Sequence, residues 1–381
     1  MENTLSPIST TRINRHVWNI IGLPFDQVGL HDATQIAESA ILDKISLFLS
    51  TPNLNFAIET QSDAEFFQSV VDSDLSVADG MPLIWVAKIL GVPLTERVAG
   101  STLFDELSNK PRAKKIKVFF FGGQEGVAEL AHKQLNETSL GMLSCGFYDP
   151  GFVSVEKMSK VEIIEQVNAA EPDFLVVALG AKKGQAWIQQ NRSQLTAPVI
   201  SHLGAVINFV AGSIDRAPVF WQRVGLEWLW RIKQEPVLWK RYLQDGFAFI
   251  GLLSTKVLPL SIYDRLLKNS RYADEPCHIE WLTNEDGVIS LIGSLKNQQL
   301  SPVKYFLSSI IDRASIGAST DDVILDFTKV SYIDGAFIAT LMLFQRQLEK
   351  HGRKLVLRNV PARVQRILRL NNVGQRFLIE K

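Results

Sequence analysis

Cysteine is scarce in this chain of 381 residues: Cys145 and Cys277 are the only two, and they lie far apart. They form neither a metal-ligand spacing nor a disulfide framework, which fits a reducing compartment. They read as buried free thiols, which behave as small hydrophobes. Net charge is also missing, because 40 Lys and Arg offset 40 Asp and Glu. That balance gives no support to bulk nucleic-acid binding. The polar stretch Met1–Arg15 has no apolar core, which argues against a signal sequence or an N-terminal anchor. No unbroken apolar run of about 18 residues occurs, so no transmembrane helix is expected. The nearest candidate, Phe247–Tyr263, is interrupted by Ser254, Lys256 and Pro259, and is expected to touch a membrane surface without crossing it. A nicotinamide dehydrogenase is disfavoured because no Gly-x-Gly-x-x-Gly follows the first strand.

What is present is ordinary globular material, long enough for two or three domains. In the first two-thirds, strand-like runs at Leu54–Ile58, Lys117–Phe121, Phe174–Leu179 and Val199–Leu203 alternate with helical stretches. That alternation predicts an α/β fold with a mostly parallel sheet covered on both faces. Three of the runs lead into glycine, at Gly122-Gly123, Gly180 and Gly204. Ligands of open α/β sheets bind at such strand ends, where glycine lets the backbone approach a phosphate. Tight turns alone account for the same glycines.

From about Gly246 to Pro276 the pattern decays into an apolar piece and then a charged one, which reads as a connection between domains. Beyond it, His278–Leu282 and Val288–Ile292 flank Asn284-Glu285-Asp286-Gly287 as a hairpin. A helix over 302–314, a strand at Val323–Phe327, a helix over 335–351, a strand at Leu355–Arg358 and a helix over 362–370 complete a smaller α/β domain.

Asp79 in Ala78-Asp79-Gly80-Met81-Pro82 is placed at the mouth of the sheet, before a helix-compatible run. A carboxylate there serves as a general base if it reaches an attacking hydroxyl; as a helix N-cap it would be purely structural. Other segments accompany it in order: Thr51-Pro52-Asn53, Arg97 within Leu94–Gly100, Phe121-Gly122-Gly123, Gly180 to Trp187, Asn208–Gly212, Arg216-Ala217-Pro218 and Gly225–Arg231. Taken together, residues 17–245 resemble the WecG/TagA/CpsF family of bacterial glycosyltransferases.

The resemblance implies a Rossmann-like transferase domain over 17–245, preceded by a polar tail at 1–16 and followed by a linker at 246–276. It implies inverting transfer of an N-acetylmannosamine-type or uronic sugar from a UDP donor to a polyprenyl-diphosphate-linked saccharide, in envelope or exopolysaccharide synthesis. Asp79 would be the catalytic base, with Thr51 and Asn53 lining the pocket. Arg97 would neutralise the donor diphosphate, a role suited to a multi-donor guanidinium. Gly122, Gly123 and Gly180 would be close-approach turns around the nucleotide. Substrate-binding positions also fall at Gln185 and Asn208, where the chain departs from the family pattern: it reads Lys182-Lys183-Gly184-Gln185 for Pro-Lys-Gln-Glu and Ile207-Asn208 for Phe-Asp. These departures bear on donor identity. A single displacement with a stabilised leaving diphosphate requires no covalent intermediate. No Asp-x-Asp metal motif stands out; Asp72-Ser73-Asp74 comes closest and reads as a turn, so neither a metal nor another cofactor is expected.

Residues 216–241 hold Trp221, Trp228, Trp230 and Trp239, with Arg216, Arg223, Arg231, Lys233, Lys240 and Arg241 against only Glu227 and Glu235. Interleaved Trp and basic residues suit an interfacial membrane segment, although core packing also explains tryptophans. By resemblance this appendage completes the active site, and Arg216 and Arg231 would bind diphosphate.

Residues 277–381 resemble a STAS domain, on Val323–Phe327, Val330–Ala336 and Gly352–Leu357. Gly335 stands where regulatory members carry a phosphorylatable Ser or Thr after the aspartate. The domain is therefore expected to be an interaction or positioning module for a protein partner, or a structural cap. The overall expectation is an enzyme, cytoplasmic and peripheral at the inner membrane face. The competing expectation is a catalytically degenerate transferase acting as a STAS-containing regulator or scaffold.

Overall fold

The computed structural model describes residues 12–218, 220–221, 225–270, 272, 275–281, 288–315 and 322–380. Residues 1–11, Arg223 and the expected turn Asn284–Gly287 lie outside the described residues. The chain separates into two compact units that do not follow chain order. One comprises Met1–Gln27, Trp85–Pro93 and Ala248–Lys381; the other comprises Val28–Ile84 and Leu94–Phe247.

The strands in chain order are β1 (Val17–Ile20), β2 (Leu23–Asp26), β3 (Leu47–Ser50), β4 (Leu75–Ser76), β5 (Ile116–Gly122), β6 (Met142–Tyr148), β7 (Phe174–Ala178) and β8 (Val199–His202). Then come β9 (His278–Trp281), β10 (Val288–Leu295), β11 (Val323–Ile333), β12 (Leu355–Arg358) and β13 (Leu378–Glu380).

The unit around residues 94–247 is built on a six-stranded sheet of order β4-β3-β8-β7-β5-β6, parallel throughout. Its central strands are apolar on both faces, as parallel strands under two helical layers must be: every residue of β7 and all but Lys117 of β5 are buried. Phe48, Phe119, Phe121, Leu175, Val177, Trp187 and Ile200 form one core cluster, in which the Phe121 and Trp187 rings stack 4.2 Å apart. Since β8 sits between β3 and β7, the chain changes direction across the sheet there, and the carboxyl ends of β3, β4, β5 and β8 open toward one region.

One expected strand is a helix. Leu54–Glu59 is helical because the Asn53 side chain accepts the Phe56 N–H at 3.2 Å and caps it. A five-residue apolar run fits a buried helix turn as well as a strand, and the strand at this place is β3.

The other unit carries a five-stranded sheet, β13-β12-β11-β10-β9, parallel except where β9 runs antiparallel to β10. Helices Leu300–Ser315, Gly335–Lys350 and Ala362–Leu370 belong to it. The antiparallel hairpin β1–β2 belongs to the same unit and packs on Gly335–Lys350. Asn19 there donates to the Asn371 side chain at 3.0 Å, and Lys304 donates to the Arg15 carbonyl at 2.7 Å.

The segment expected as a connection between domains is helical up to Lys268. Helix Trp239–Leu252, a π-helical turn at Leu253–Val257 and helix Leu258–Lys268 follow without a break. Pro259 falls in the first turn of the last helix, where its missing N–H costs little. Ser254 and Thr255 return their hydroxyls to carbonyls one turn back. Within its unit the last helix is tied down through Ser261 to the Ile89 carbonyl and through Asp264 to the Tyr332 hydroxyl.

Candidate active site

The loops leaving β3 and β4 are laced to the segment before helix Gly100–Asn109. The N–H of Val77 bonds Ser50 O at 3.0 Å, that of Asp79 bonds Pro52 O at 2.9 Å, and that of Val98 bonds Ala78 O at 3.0 Å. These bonds bring Thr51, Asn53, Asp79, Arg97 and the start of the helix together. Thr51 lies against Gly100, and Asn53 lies against Gly80.

Asp79 does not cap the helix Met81–Leu90 that follows it; its carboxyl turns toward the N–H of Gly100 and toward Arg97. About a third of the side chain, 32%, remains reachable by solvent. Enough protein surrounds the carboxyl, however, that desolvation dominates and raises its pKa to about 6. Arg97 and Arg231 pull that value down, and the negative charge of Glu227 pushes it up. A carboxylate titrating near neutrality is matched to general-base work.

Arg97, only 13% exposed, stands between two acids: its Nε is 3.8 Å from Asp79 and its Nη1 donates to Glu227 at 2.5 Å. Glu227 is the first residue of helix Glu227–Gln234, which also carries Arg231, ion-paired to Glu235 at 2.8 Å. Arg216 reaches Asp105, Thr102 and Ser101 on helix Gly100–Asn109, and feels the charges of Asp79, Arg97 and Glu227. The Nε atoms of Arg216 and Arg231 are buried without a hydrogen-bond partner. Asp79, Arg97, Arg216, Glu227 and Arg231 thus form one charged cluster in which donors outnumber acceptors.

The expected glycine turns sit at neighbouring strand ends. Gly122 closes β5 at φ +96, and a Cβ there would meet the Ala178 carbonyl at 2.8 Å. Gly123 donates to the same carbonyl and faces Ile207, the neighbour of the half-buried Asn208. Gly180 precedes helix Ala181–Asn191 with open space around it. Gln185 is separated from the cluster: fully buried, it donates to Ser50 at 3.0 Å and offers a ligand no surface. Gly184 is required by packing, because a Cβ there would lie 2.2 Å from the ring of His202. His202 is buried, lowered in pKa by desolvation, and bonded through Nε2 to the Leu179 carbonyl at 2.6 Å.

Sequence reasoning assigned no role to Glu227, Asp105, Ser101, Thr102 or His202. Glu227 had one signal, being one of two acids in an otherwise basic stretch. None of the four tryptophans of that stretch is buried, so core packing does not explain them; Lys233 lies over Trp230 and Lys240 over Trp239. Both cysteines are free and half-buried rather than fully buried, and burial raises the Cys145 thiol to about 11.

Fold and site together define an α/β transferase joined to a smaller α/β domain. The model of the glycosyl transferase WecG/TagA/CpsF family matches residues 18–261, and the chain belongs to that family. A second model, the Mlab, STAS domain, matches residues 280–380. Relatives include an N-acetylglucosaminyldiphosphoundecaprenol N-acetyl-beta-D-mannosaminyltransferase of Bacillus spizizenii, 30% identical over 51% of this chain and 74% of the relative. Proteins of the same name from Bacillus subtilis and Staphylococcus aureus are 26% and 23% identical, over 59% and 66% of this chain and 86% and 93% of theirs. Among solved structures, the unphosphorylated anti-sigma factor antagonist SpoIIAA aligns with 28% of this chain and 88% of its own, at 23% identity and a TM-score of 0.23.

Proposed function

We propose that this protein is an inverting, metal-independent glycosyltransferase that moves a sugar from a UDP donor to a polyprenyl-diphosphate-linked saccharide in cell-envelope or exported polysaccharide synthesis. The relatives' names, which specify a diphosphoundecaprenol acceptor and N-acetylmannosaminyl transfer, support an N-acetylmannosamine-type donor sugar, with a uronic sugar as the variant. The single observation carrying the reading is Asp79: a partly open carboxyl at a parallel-sheet mouth, raised to about 6, beside three arginines.

In this reading Asp79 takes the proton of the acceptor hydroxyl as its oxygen attacks the anomeric carbon, and the bond to the UDP oxygen breaks on the opposite face. Arg97, Arg216 and Arg231 receive the charge that develops on the leaving diphosphate, in place of a metal. Thr51 and Asn53 border the sugar, Gly122, Gly123 and Gly180 admit the nucleotide, and Asn208 flanks that turn. Gln185 acts from behind, through Ser50.

The acceptor's lipid places the enzyme at a membrane, on the cytoplasmic face. The helical run Pro236–Lys268 is, among the described residues, the one helix long and apolar enough to cross a membrane by length and composition. A surface position suits it better, because Val257, Leu260 and Ser261 are buried and Asp264 is bonded within its unit. Its outward stripe of Trp239, Leu243, Phe247, Ile250, Leu258 and Ile262 fits an interfacial helix. The STAS-like domain serves as a positioning or protein-interaction module.

The test is transfer by the purified chain in EDTA, with UDP-N-acetylmannosamine or its uronic counterpart and a polyprenyl-diphosphate N-acetylglucosamine acceptor, followed by mass spectrometry. Extension of the lipid by one sugar, with UDP raising the melting temperature, is expected. Absence of both product and UDP stabilisation would reject the reading.

A further inference from the structure

Two carboxylates compete for one guanidinium at the head of the site. Glu227 takes the Nη1 of Arg97 at 2.5 Å, while Asp79 is left 3.8 Å from Nε, beyond hydrogen-bond range. The contest is poorly screened, since Arg97 is 13% and Glu227 19% exposed on the side chain. The two acids come from distant parts of the chain: Asp79 follows β4, and Glu227 opens the helix Glu227–Gln234. An acid at a first helical position already interacts well with the helix dipole. This one reaches instead across 130 positions to a single arginine.

From this geometry we infer that Glu227 is a positioning residue: it holds the Arg97 guanidinium off Asp79 and so leaves Asp79 a free base. The inference rests on the reading of Asp79 as the base. Without Glu227, the nearest acceptor for Arg97 is Asp79 itself. A closed arginine–aspartate pair lowers a carboxyl pKa by about 1–3 units, and a weaker base removes a proton less effectively. With Glu227 engaged, the Nη2 of Arg97 has no protein partner among the described residues and stays available to a phosphate oxygen. The charges around Asp79 act in the same sense. Beyond burial, Arg97, the Gly100 N–H and Arg231 favour its ionised form, and Glu227 is the one charge that opposes it. Arg216 completes the ring of charge and is itself within reach of Glu227. Loss of Glu227 therefore removes the like charge and releases the cation toward the base, and both changes acidify Asp79.

The experiment follows the Asp79 carboxyl by carbon-13 NMR in the full chain labelled at aspartate, its signal assigned with Asp79→Asn. Expected midpoints are near pH 6 in the wild type, about one unit lower in Glu227→Gln, and intermediate in Glu227→Asp. In an Arg97→Gln background, Glu227→Gln should give less than half that shift, as a double-mutant cycle requires of a coupled pair. In the transfer assay, Glu227→Gln should lower kcat about tenfold and move the acid limb of the pH profile with the NMR midpoint. A midpoint that stays or rises in a cooperatively melting Glu227→Gln protein overturns the inference. So does a rise in transfer, which would make Glu227 a plug in the diphosphate site. Because the NMR readout needs no donor or acceptor, a wild type with neither transfer nor UDP stabilisation would reject the proposed function while leaving this inference to stand or fall on the midpoint.

Discussion

Both units place an aspartate and a glycine between a strand and a helix, as Ala78-Asp79-Gly80-Met81 and as Ile333-Asp334-Gly335-Ala336. The outcomes are opposite. Asp334 caps the helix Gly335–Lys350, accepting the N–H groups of Ala336 at 3.0 Å, Phe337 at 2.9 Å and Asn297 at 2.8 Å. Asp79 caps nothing and faces an arginine and a partly open space. The glycines account for much of the difference: Gly80 adopts φ +145, which turns the backbone away from a cap, whereas Gly335 is itself helical. An aspartate at a strand end becomes structural or chemical according to the backbone conformation of the residue after it and to what lies opposite.

Four substitutions and one titration break or sharpen this contrast. Asp79→Asn should lower transfer by about two orders of magnitude or more, the scale of a lost general base, with the fold intact by circular dichroism. Asp334→Ala should cost about 2 kcal/mol of stability through lost cap bonds, read in denaturant melts. Gly80→Ala should cost about 1–3 kcal/mol, since only glycine is at ease near φ +145. Gly335→Ala should stay within about 0.5 kcal/mol, its nearest neighbour being the Asn19 carbonyl at 3.4 Å. The same carboxyl also sets a pH slope in stability. Because the folded Asp79 holds its proton up to about pH 6 while the unfolded chain releases it lower, its contribution to stability is greatest below the unfolded value and is lost as pH rises through 6. Asp79→Asn should flatten that slope and raise the melting temperature at pH 8.

The C-terminal strands and helices were legible because their apolar periodicity is strong: Leu355–Arg358 and Ala362–Leu370 are the elements expected from sequence. Leu54–Ile58 reads as a strand because a short, mostly apolar run carries no period, and the deciding feature of the helix there is the hydrogen bond from Phe56 to Asn53. The helix through Ser254, Lys256 and Pro259 was hidden by residues that break helices in isolation but are accommodated by a π-turn and a first-turn proline. At the site, Asp79 and its arginines could be named from order along the chain. Glu227 gained a role only once folding set it against Arg97, since pairing across 130 positions leaves no trace in spacing.

The hairpin β1–β2 joins the unit that contains the C-terminal sheet. The hairpin therefore finds its resting place only after the C-terminal sheet, far along the chain, has been made. A chain cut short before residue 277 would leave that hairpin without a partner, and the C-terminal portion expressed alone would expose the flank of Gly335–Lys350 that the hairpin covers. Dissecting this protein into soluble pieces thus calls for keeping the hairpin joined to the C-terminal sheet.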